Sequence, residues 1–110
     1  MTTTLKILGQ SAPNATTETD LYTVPVLTSS VVSTITICNR GATAATFRVS
    51  ASAGGGATAN KDYIYYDITL AGNDTFAATI GMTLATTDKV KVYASTANLS
   101  FNLFGQENTQ

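Results

Sequence analysis

Four of the five tyrosines and one arginine are the side chains of this sequence best suited to contact a partner. Tyr63, Tyr65 and Tyr66 follow one another closely, while Tyr93 and Arg48 belong to other alternating segments. Tyrosine offers a flat apolar ring with a polar tip, which suits both protein and sugar surfaces. We therefore take these five residues as candidate partner contacts. The structural alternative is that the tyrosines cap the core and bond to the backbone.

The sequence offers few residues suited to catalysis, because it contains no histidine. Without imidazole, neither a Ser-His-Asp triad nor a Cys-His pair can form. Asp62 and Asp67 lie five positions apart in an extended segment, so their carboxylates point to opposite faces and cannot converge on one bond. The single cysteine, Cys38, is expected to act as a small buried hydrophobe. We predict no catalytic residues and no enzymatic activity.

Metal and cofactor sites are similarly weak in the sequence. One cysteine and no histidine cannot build a structural zinc site. Glu18 and Asp20 could share a face and hold calcium with loop carbonyls, although a solvated loop explains them equally simply. Residues 53–57 form a glycine-rich loop without the Lys-Ser/Thr ending or the following helix of a phosphate-binding loop. We therefore predict no metal and no cofactor.

Length and charge narrow the class of partner. The 110 residues suffice for one domain, and only 12% of them are charged, with a formal net charge of -1. The six basic residues are dispersed, which argues against nucleic acid, and no apolar run is long enough to span a membrane. The N-terminus lacks the apolar stretch of a secretory signal. We expect a protein that is made and assembled inside a cell.

Alternation of apolar and hydroxyl side chains predicts the elements that position these residues. About eight short strands are separated by turn signals at intervals of roughly 8–12 residues, which is typical of sandwiches and barrels. We predict an all-β protein with a single antiparallel β-sandwich of jelly-roll or Greek-key type. Residues 31–38, with Val31, Ile35 and Ile37 on one face, and Ala45–Ser52 are expected to form a hairpin through the turn Asn39-Arg40-Gly41.

The predicted domain organisation has three parts. Residues 1–20 form an N-terminal strand and extended segment, 21–105 form the sandwich, and 106–110 form a loose polar tail. Residues 1–20 and the loop 53–60 are expected to reach neighbouring subunits. The predicted inward-facing set is Ile35, Ile37, Phe47, Val49, Phe76, Ile80, Val90, Val92, Leu99, Phe101 and Leu103.

Several segments carry a resemblance to a known family, and they follow one another over nearly the whole chain. They are LKILGQSAP (5–13), LYTVP (21–25), STITICNR (33–40), ATFRVS (45–50), KDYIYYD (61–67), TLATTDKVKVYAS (83–95) and NLSFNLFGQE (98–107). The set resembles a family of small virion structural proteins of tailed phages, common in phages of cyanobacteria and other aquatic bacteria. The resemblance implies a place in the virion, assembly in the host bacterial cytoplasm and no enzymatic activity. It transfers no catalytic residues.

Three functions remain open at this point. The first is a head decoration or cement protein, expected to be a homo-oligomer such as a trimer, that bridges neighbouring subunits of the major capsid protein. The second is a neck, tail or baseplate component that helps to attach fibres and has neck or tail proteins as partners. The third is a carbohydrate-binding module, which would present exposed coplanar tyrosines.

Overall fold

The computed structural model describes residues 2–110 and consists almost entirely of β-strands. Two short 3₁₀ turns, Ala53–Gly55 and Asn60–Asp62, lie between the fourth and fifth strands. No helix long and apolar enough to cross a membrane occurs in the described chain. The strands are β1 (Thr2–Ser11), β2 (Thr19–Thr23), β3 (Thr28–Asn39), β4 (Ala45–Ser52), β5 (Tyr63–Leu70), β6 (Thr75–Leu84), β7 (Lys89–Ala94) and β8 (Leu99–Thr109).

The strands form two antiparallel sheets of four. The first sheet has the order β1-β8-β3-β6, and the second has the order β2-β7-β4-β5. Every connection crosses from one sheet to the other except that between β4 and β5, which are neighbours in the second sheet. This order is that of an eight-stranded jelly roll. The predicted all-β antiparallel sandwich is therefore confirmed.

The core lies between the two sheets and is filled by alternate residues of the inner strands. Phe47 and Phe101 are its largest fully buried side chains, and their rings meet edge to face with centroids 6.4 Å apart. The predicted inward-facing residues are all buried except Phe76 and Ile80. Those two pack against the core but stay half-buried, because β6 is an edge strand of the first sheet.

The predicted hairpin between residues 31–38 and Ala45–Ser52 is wrong. In the structure β3 pairs with β8 and β6, whereas β4 pairs with β5 and β7 in the other sheet. Both strands are apolar on one face, and those faces meet across the interior instead of lying side by side. The side-chain amide of Asn39 holds the crossing segment by donating to the carbonyls of Thr43 and Leu70.

The face predicted for Val31 is also wrong. Val32 is buried beside Ile35 and Ile37, whereas Val31 points outward and is 36% exposed. The pairing register of β3 shifts between Val32 and Thr34 against both neighbouring strands. Against β8, Val32 pairs with Gly105 and Thr34 with Phe104, so Ser33 is an inserted residue. One inserted residue reverses the inside–outside alternation beyond it.

Residues 2–11 and 106–109 both belong to the sandwich, which differs from the predicted boundaries at residues 20 and 105. β1 pairs with β8 from Thr2↔Thr109 to Ser11↔Phe101. Residues 106–109, predicted as a loose tail, continue β8 between β1 and β3. A central strand has its backbone groups paired on both sides, so the polar side chains of this segment do not prevent it from being ordered.

Candidate functional site

Three side chains from three adjacent strands stack across the outer face of the second sheet. The guanidinium carbon of Arg48, on β4, lies 4.3 Å from the ring centroid of Tyr66 on β5 and 4.4 Å from that of Tyr93 on β7. Arg48 and Tyr93 are direct cross-strand partners. Stacking of a guanidinium on aromatic faces is favourable, so each ring helps to fix the arginine between them.

Asp67 completes this arrangement by holding the guanidinium from one side. Arg48 Nε donates to Asp67 Oδ1 at 2.6 Å and Nη2 donates to Oδ2 at 3.3 Å, a two-point contact. This hydrogen bond raises the pKa of Arg48 further above its already high ordinary value. Asp67 has a φ of 51°, and the β4–β5 register shifts between Phe47 and Val49 at this point. The irregularity brings both Tyr66 and Asp67 beside Arg48.

Tyr63 extends the stack along β5. Its ring meets that of Tyr66 edge to face, with centroids 4.8 Å apart. Tyr66 is 55% exposed, while Tyr63 and Tyr93 are half-buried. We call Tyr63, Tyr66, Arg48, Asp67 and Tyr93 the tyrosine–arginine ladder. Its side chains hold one another in place, and it presents apolar rings with polar tips to solvent.

Tyr65, the fifth predicted contact residue, does not join the ladder. Its ring turns towards the interior, where it lies 6.1 Å from Phe47 and 5.2 Å from Phe76, measured between centroids. The sequence pattern groups Tyr63 with Tyr65, but the structure groups Tyr63 with Tyr66. The reason is that the β4–β5 register shifts twice, between Phe47 and Val49 and again between Val49 and Ser50.

The loop of residues 53–60, predicted to reach neighbouring subunits, folds back beside the second sheet. Lys91 is buried beneath it, and its Nζ donates to the Gly56 carbonyl at 2.8 Å. At the start of the loop the amide of Gly54 donates to Asp88 Oδ1 at 2.8 Å. These bonds hold the loop against its own protein, while most of its residues stay exposed and its contact with neighbouring subunits stays a prediction.

Two lysines near the second sheet form ion pairs with aspartates. Lys89 Nζ lies 2.9 Å from Asp20 Oδ2, and Lys61 Nζ lies 3.1 Å from Asp62 Oδ1. The amide of Ala59 and the ammonium of Lys61 lower the pKa of Asp62. The Asp20 carboxylate considered for calcium thus accepts from a lysine. Within residues 2–110, no three His, Cys, Asp or Glu side chains converge in a way that could hold a metal.

The outer face of the first sheet is different, because no strand residue pointing outward from it is charged. Outward residues follow from the register, since cross-strand partners share a face. We call this surface the charge-free face. Its outward residues are Thr3, Leu5, Ile7 and Gln10 on β1, Ser100, Asn102, Phe104, Gln106 and Asn108 on β8, Ser29, Val31, Thr34, Thr36 and Cys38 on β3, and Thr75, Ala77, Thr79, Gly81 and Thr83 on β6.

Three exposed aliphatic side chains lie on this face. Leu5 is 78% exposed and Ile7 is 49% exposed, and Val31 is close to them in the sheet. Sequence reasoning missed the surface because it placed Val31 inside and did not align the four strands. The available signal was the alternation of Leu5 and Ile7 with Lys6, which already puts the two aliphatic residues on one face.

No protein-family model matches this chain, and no curated protein matches it. Function is therefore inferred from the chemistry of the two outer faces.

Proposed function

We propose that this protein is a non-enzymatic structural component of a tailed-phage virion, and specifically a head decoration protein. The place in a virion rests on the resemblance of the sequence segments to small virion structural proteins, and docking to a partner rests on the tyrosine–arginine ladder. Tyrosine and arginine are enriched at protein interfaces and among the residues that contribute most to binding. Arg48 is already held by two rings and a carboxylate, so little side-chain freedom remains to be lost when a partner docks.

The mechanism is bridging of neighbouring capsid subunits. A small rigid sandwich that contacts more than one subunit adds bonds that must break before the lattice opens. Many identical copies act together on a symmetric shell, so each contact can be modest. A chain with few charged residues suits this role, because crowded copies with a formal net charge of -1 repel one another little.

A neck, tail or baseplate location is the alternative proposal, and the same ladder would serve it. Gold-labelled antibodies on purified particles separate the two, since a decoration protein marks the head and a connector marks one vertex or the tail. A carbohydrate-binding module is less well supported. Arg48 fills the space between Tyr66 and Tyr93, so those two rings do not form a coplanar platform for a sugar.

The ladder is tested by adding purified protein back to particles that lack it. Wild-type protein is expected to sediment with the particles and to restore their resistance to heat. Tyr66→Ala and Tyr93→Ala should each bind at least about tenfold more weakly. A loss of that size is typical when a residue that contributes strongly to an interface is replaced by alanine. Arg48→Lys should also weaken binding, because lysine cannot reproduce the two-point contact with Asp67.

Thr69→Ala is the matched control, since Thr69 is exposed on the same strand as Tyr66 but lies outside the ladder. Circular dichroism should show that all variants keep the wild-type strand content. Unchanged binding by both tyrosine variants, or failure of wild-type protein to bind particles, would contradict the proposal.

A further inference from the structure

We infer that the charge-free face is an interface between two copies of this chain. The inference deepens the proposed function, because it names what covers a surface that the ladder leaves free. It concerns the isolated protein in solution, however, so it can fail or succeed separately from any role in a particle.

The chemistry of the face suits a second copy. Leu5, Gln106 and Val31 form one row across β1, β8 and β3, and Ile7, Phe104 and Thr34 form the next. A partner selected by charge would require complementary charge here, and the rows offer none. Arg40, which donates to Ser100 Oγ at 2.8 Å, lies only at the rim. The outward strand residues of the face therefore do not repel those of a second copy.

The two edges of the face have complementary shapes. β1 raises a ridge of Leu5 and Ile7, which are strongly exposed aliphatic side chains. β6, at the opposite edge, presents only small outward side chains. Thr83 and Thr79 belong to the two rows, Gly81 lies between them, and Ala77 belongs to the next row. A Cβ atom built on Gly81 would meet nothing within 4 Å, so open space lies above the middle of this strand.

A two-fold axis that lies between the copies and parallel to the strands brings the Leu5–Ile7 ridge of each copy over the small side chains of β6 in the other. Such an axis reverses the strand order of the second copy while keeping each row at the same level. β1 of each copy then lies over β6 of the other, with Ile7 over Thr79 and Gly81, and Leu5 over Thr83. The contact is made twice, as an isologous dimer requires. Face-to-face sheets pack about 10 Å apart with their strands roughly aligned.

The size of the face is sufficient for a specific dimer. Four strands about 4.8 Å apart are roughly 19 Å wide, and nine paired residues of β8 at about 3.4 Å each run roughly 30 Å. Each copy therefore contributes about 570 Å² of flat area, or about 1,100 Å² for the pair, close to the lower limit of about 1,000 Å² for a biological interface. We expect a reversible dimer of micromolar affinity.

Dimerisation has a consequence for the proposed decoration role. Because the first sheets of the two copies face each other, the second sheets become the two outer layers of a four-layered dimer. The two tyrosine–arginine ladders then point in opposite directions, and one dimer can engage two binding sites at once. This arrangement would convert a single docking module into a cross-link.

The mass of the purified protein tests the inference. In sedimentation experiments from about 1 to 200 µM, wild-type protein should move from monomer to dimer with rising concentration. Leu5→Lys should remain monomeric over the same range, and its fold should be unaffected because Leu5 is already largely exposed. Thr69→Lys adds the same charge to the outer face of the second sheet and should dimerise as the wild type does.

The strand register is tested by mixing two charged variants. Leu5→Glu and Thr83→Lys should each be monomeric alone, whereas an equimolar mixture should form a heterodimer through a glutamate–lysine contact. A wild-type protein that stays monomeric throughout, or a trimer, would overturn the inference. So would a dimer that Leu5→Lys leaves intact, or a mixture that does not associate. A dimer whose ladder variants still bind particles would instead count against the proposed function alone.

Discussion

The hydroxyl of Tyr22 donates to the carboxylate of Glu107 at 2.5 Å, and this contact joins β2 of the second sheet to β8 of the first. Ser30 Oγ lies 2.6 Å from the same hydroxyl, and Lys6 Nζ lies 3.2 Å from the other oxygen of Glu107. The four side chains belong to four strands from both sheets. They form a polar cluster that fixes one end of the sandwich.

Replacing Tyr22 by phenylalanine should destabilise the protein by about 2 kcal/mol, since a hydrogen bond to a charged group is lost from a mostly buried site. The measurement is the free energy of unfolding in urea, made in the Leu5→Lys background so that self-association does not contribute. Tyr93→Phe is the control, because the Tyr93 hydroxyl makes no hydrogen bond within residues 2–110, and this substitution should lower the free energy of unfolding much less. Equal effects of the two substitutions would contradict the importance of the Glu107 contact.

Stability should fall at both ends of the pH range because of this same pair. The hydrogen bond from Tyr22 lowers the pKa of Glu107 below its ordinary 4.5, so its contribution is present above that value and is lost as pH falls through the lowered pKa. Burial, and then the bond to Glu107, raise the pKa of Tyr22 from 10.0 to about 12. Its contribution is present below pH 10 and is lost as pH rises from 10 to about 12.

The pH dependence can be measured as the urea midpoint at a series of pH values. Tyr22→Phe should remove the part of the stability loss at alkaline pH that is due to Tyr22. Glu107→Gln should reduce the stability loss at acid pH. A share of the acid loss should remain because the pKa of Asp62 is also lowered. If the urea midpoint falls at alkaline pH as much in Tyr22→Phe as in the wild type, another group is responsible.

Gly9 should tolerate no side chain, because β1 passes very close to β2. A Cβ atom on Gly9 would overlap the backbone carbonyl of Leu21, and backbone cannot move aside as a flexible side chain can. Gly9→Ala is therefore expected to destabilise by about 1–3 kcal/mol, as overpacked sites do. Gly56→Ala, whose added carbon would make only an ordinary 3.8 Å contact, should be neutral or slightly stabilising. A Gly9→Ala variant as stable as the wild type in urea would contradict the close approach.

Lys91→Met should release the loop that covers the second sheet. Methionine keeps most of the buried stem but removes the bond from Nζ to the Gly56 carbonyl, at an expected cost of about 1–2 kcal/mol. Limited proteolysis should then cut within residues 53–57 faster than in the wild type. Lys61→Met is the control, since the Lys61 side chain is 81% exposed and its loss should not change the cleavage rate. Equal rates in all three proteins would show that the loop is held by other contacts.

The buried core was predictable because side chains alternate between inside and outside wherever the strands pair without a register shift. Phe47 and Val49 alternate with polar residues on β4, and Phe101 and Leu103 do so on β8, so each falls inside as expected. The alternation failed where the register shifts. Ser33 reverses the face of Val31, and no local property of serine marks that position as an insertion. The pairing of β3 with β8 in place of β4 depends on contacts between residues far apart in sequence.

The ladder was only partly predictable for the same reason. Residue type alone selected Tyr63, Tyr66, Tyr93 and Arg48 as candidate contacts, and the structure places them side by side. The strand period instead grouped Tyr63 with Tyr65 and put Tyr66 on the other face. The guanidinium clamp by Asp67 depends on a positive φ at a non-glycine residue, which the sequence does not signal. The charge-free face emerges only when four strands from both halves of the chain are aligned.

The proposed role as a repeated structural part of a virion is tested most directly by the copy number of this protein per particle. Quantitative mass spectrometry of purified particles gives this number relative to the major capsid protein. The protein should co-purify at a fixed ratio, with tens of copies or more for a decoration protein on a symmetric shell. Its recovery only in the soluble lysate, with none on purified particles, would contradict the proposed role.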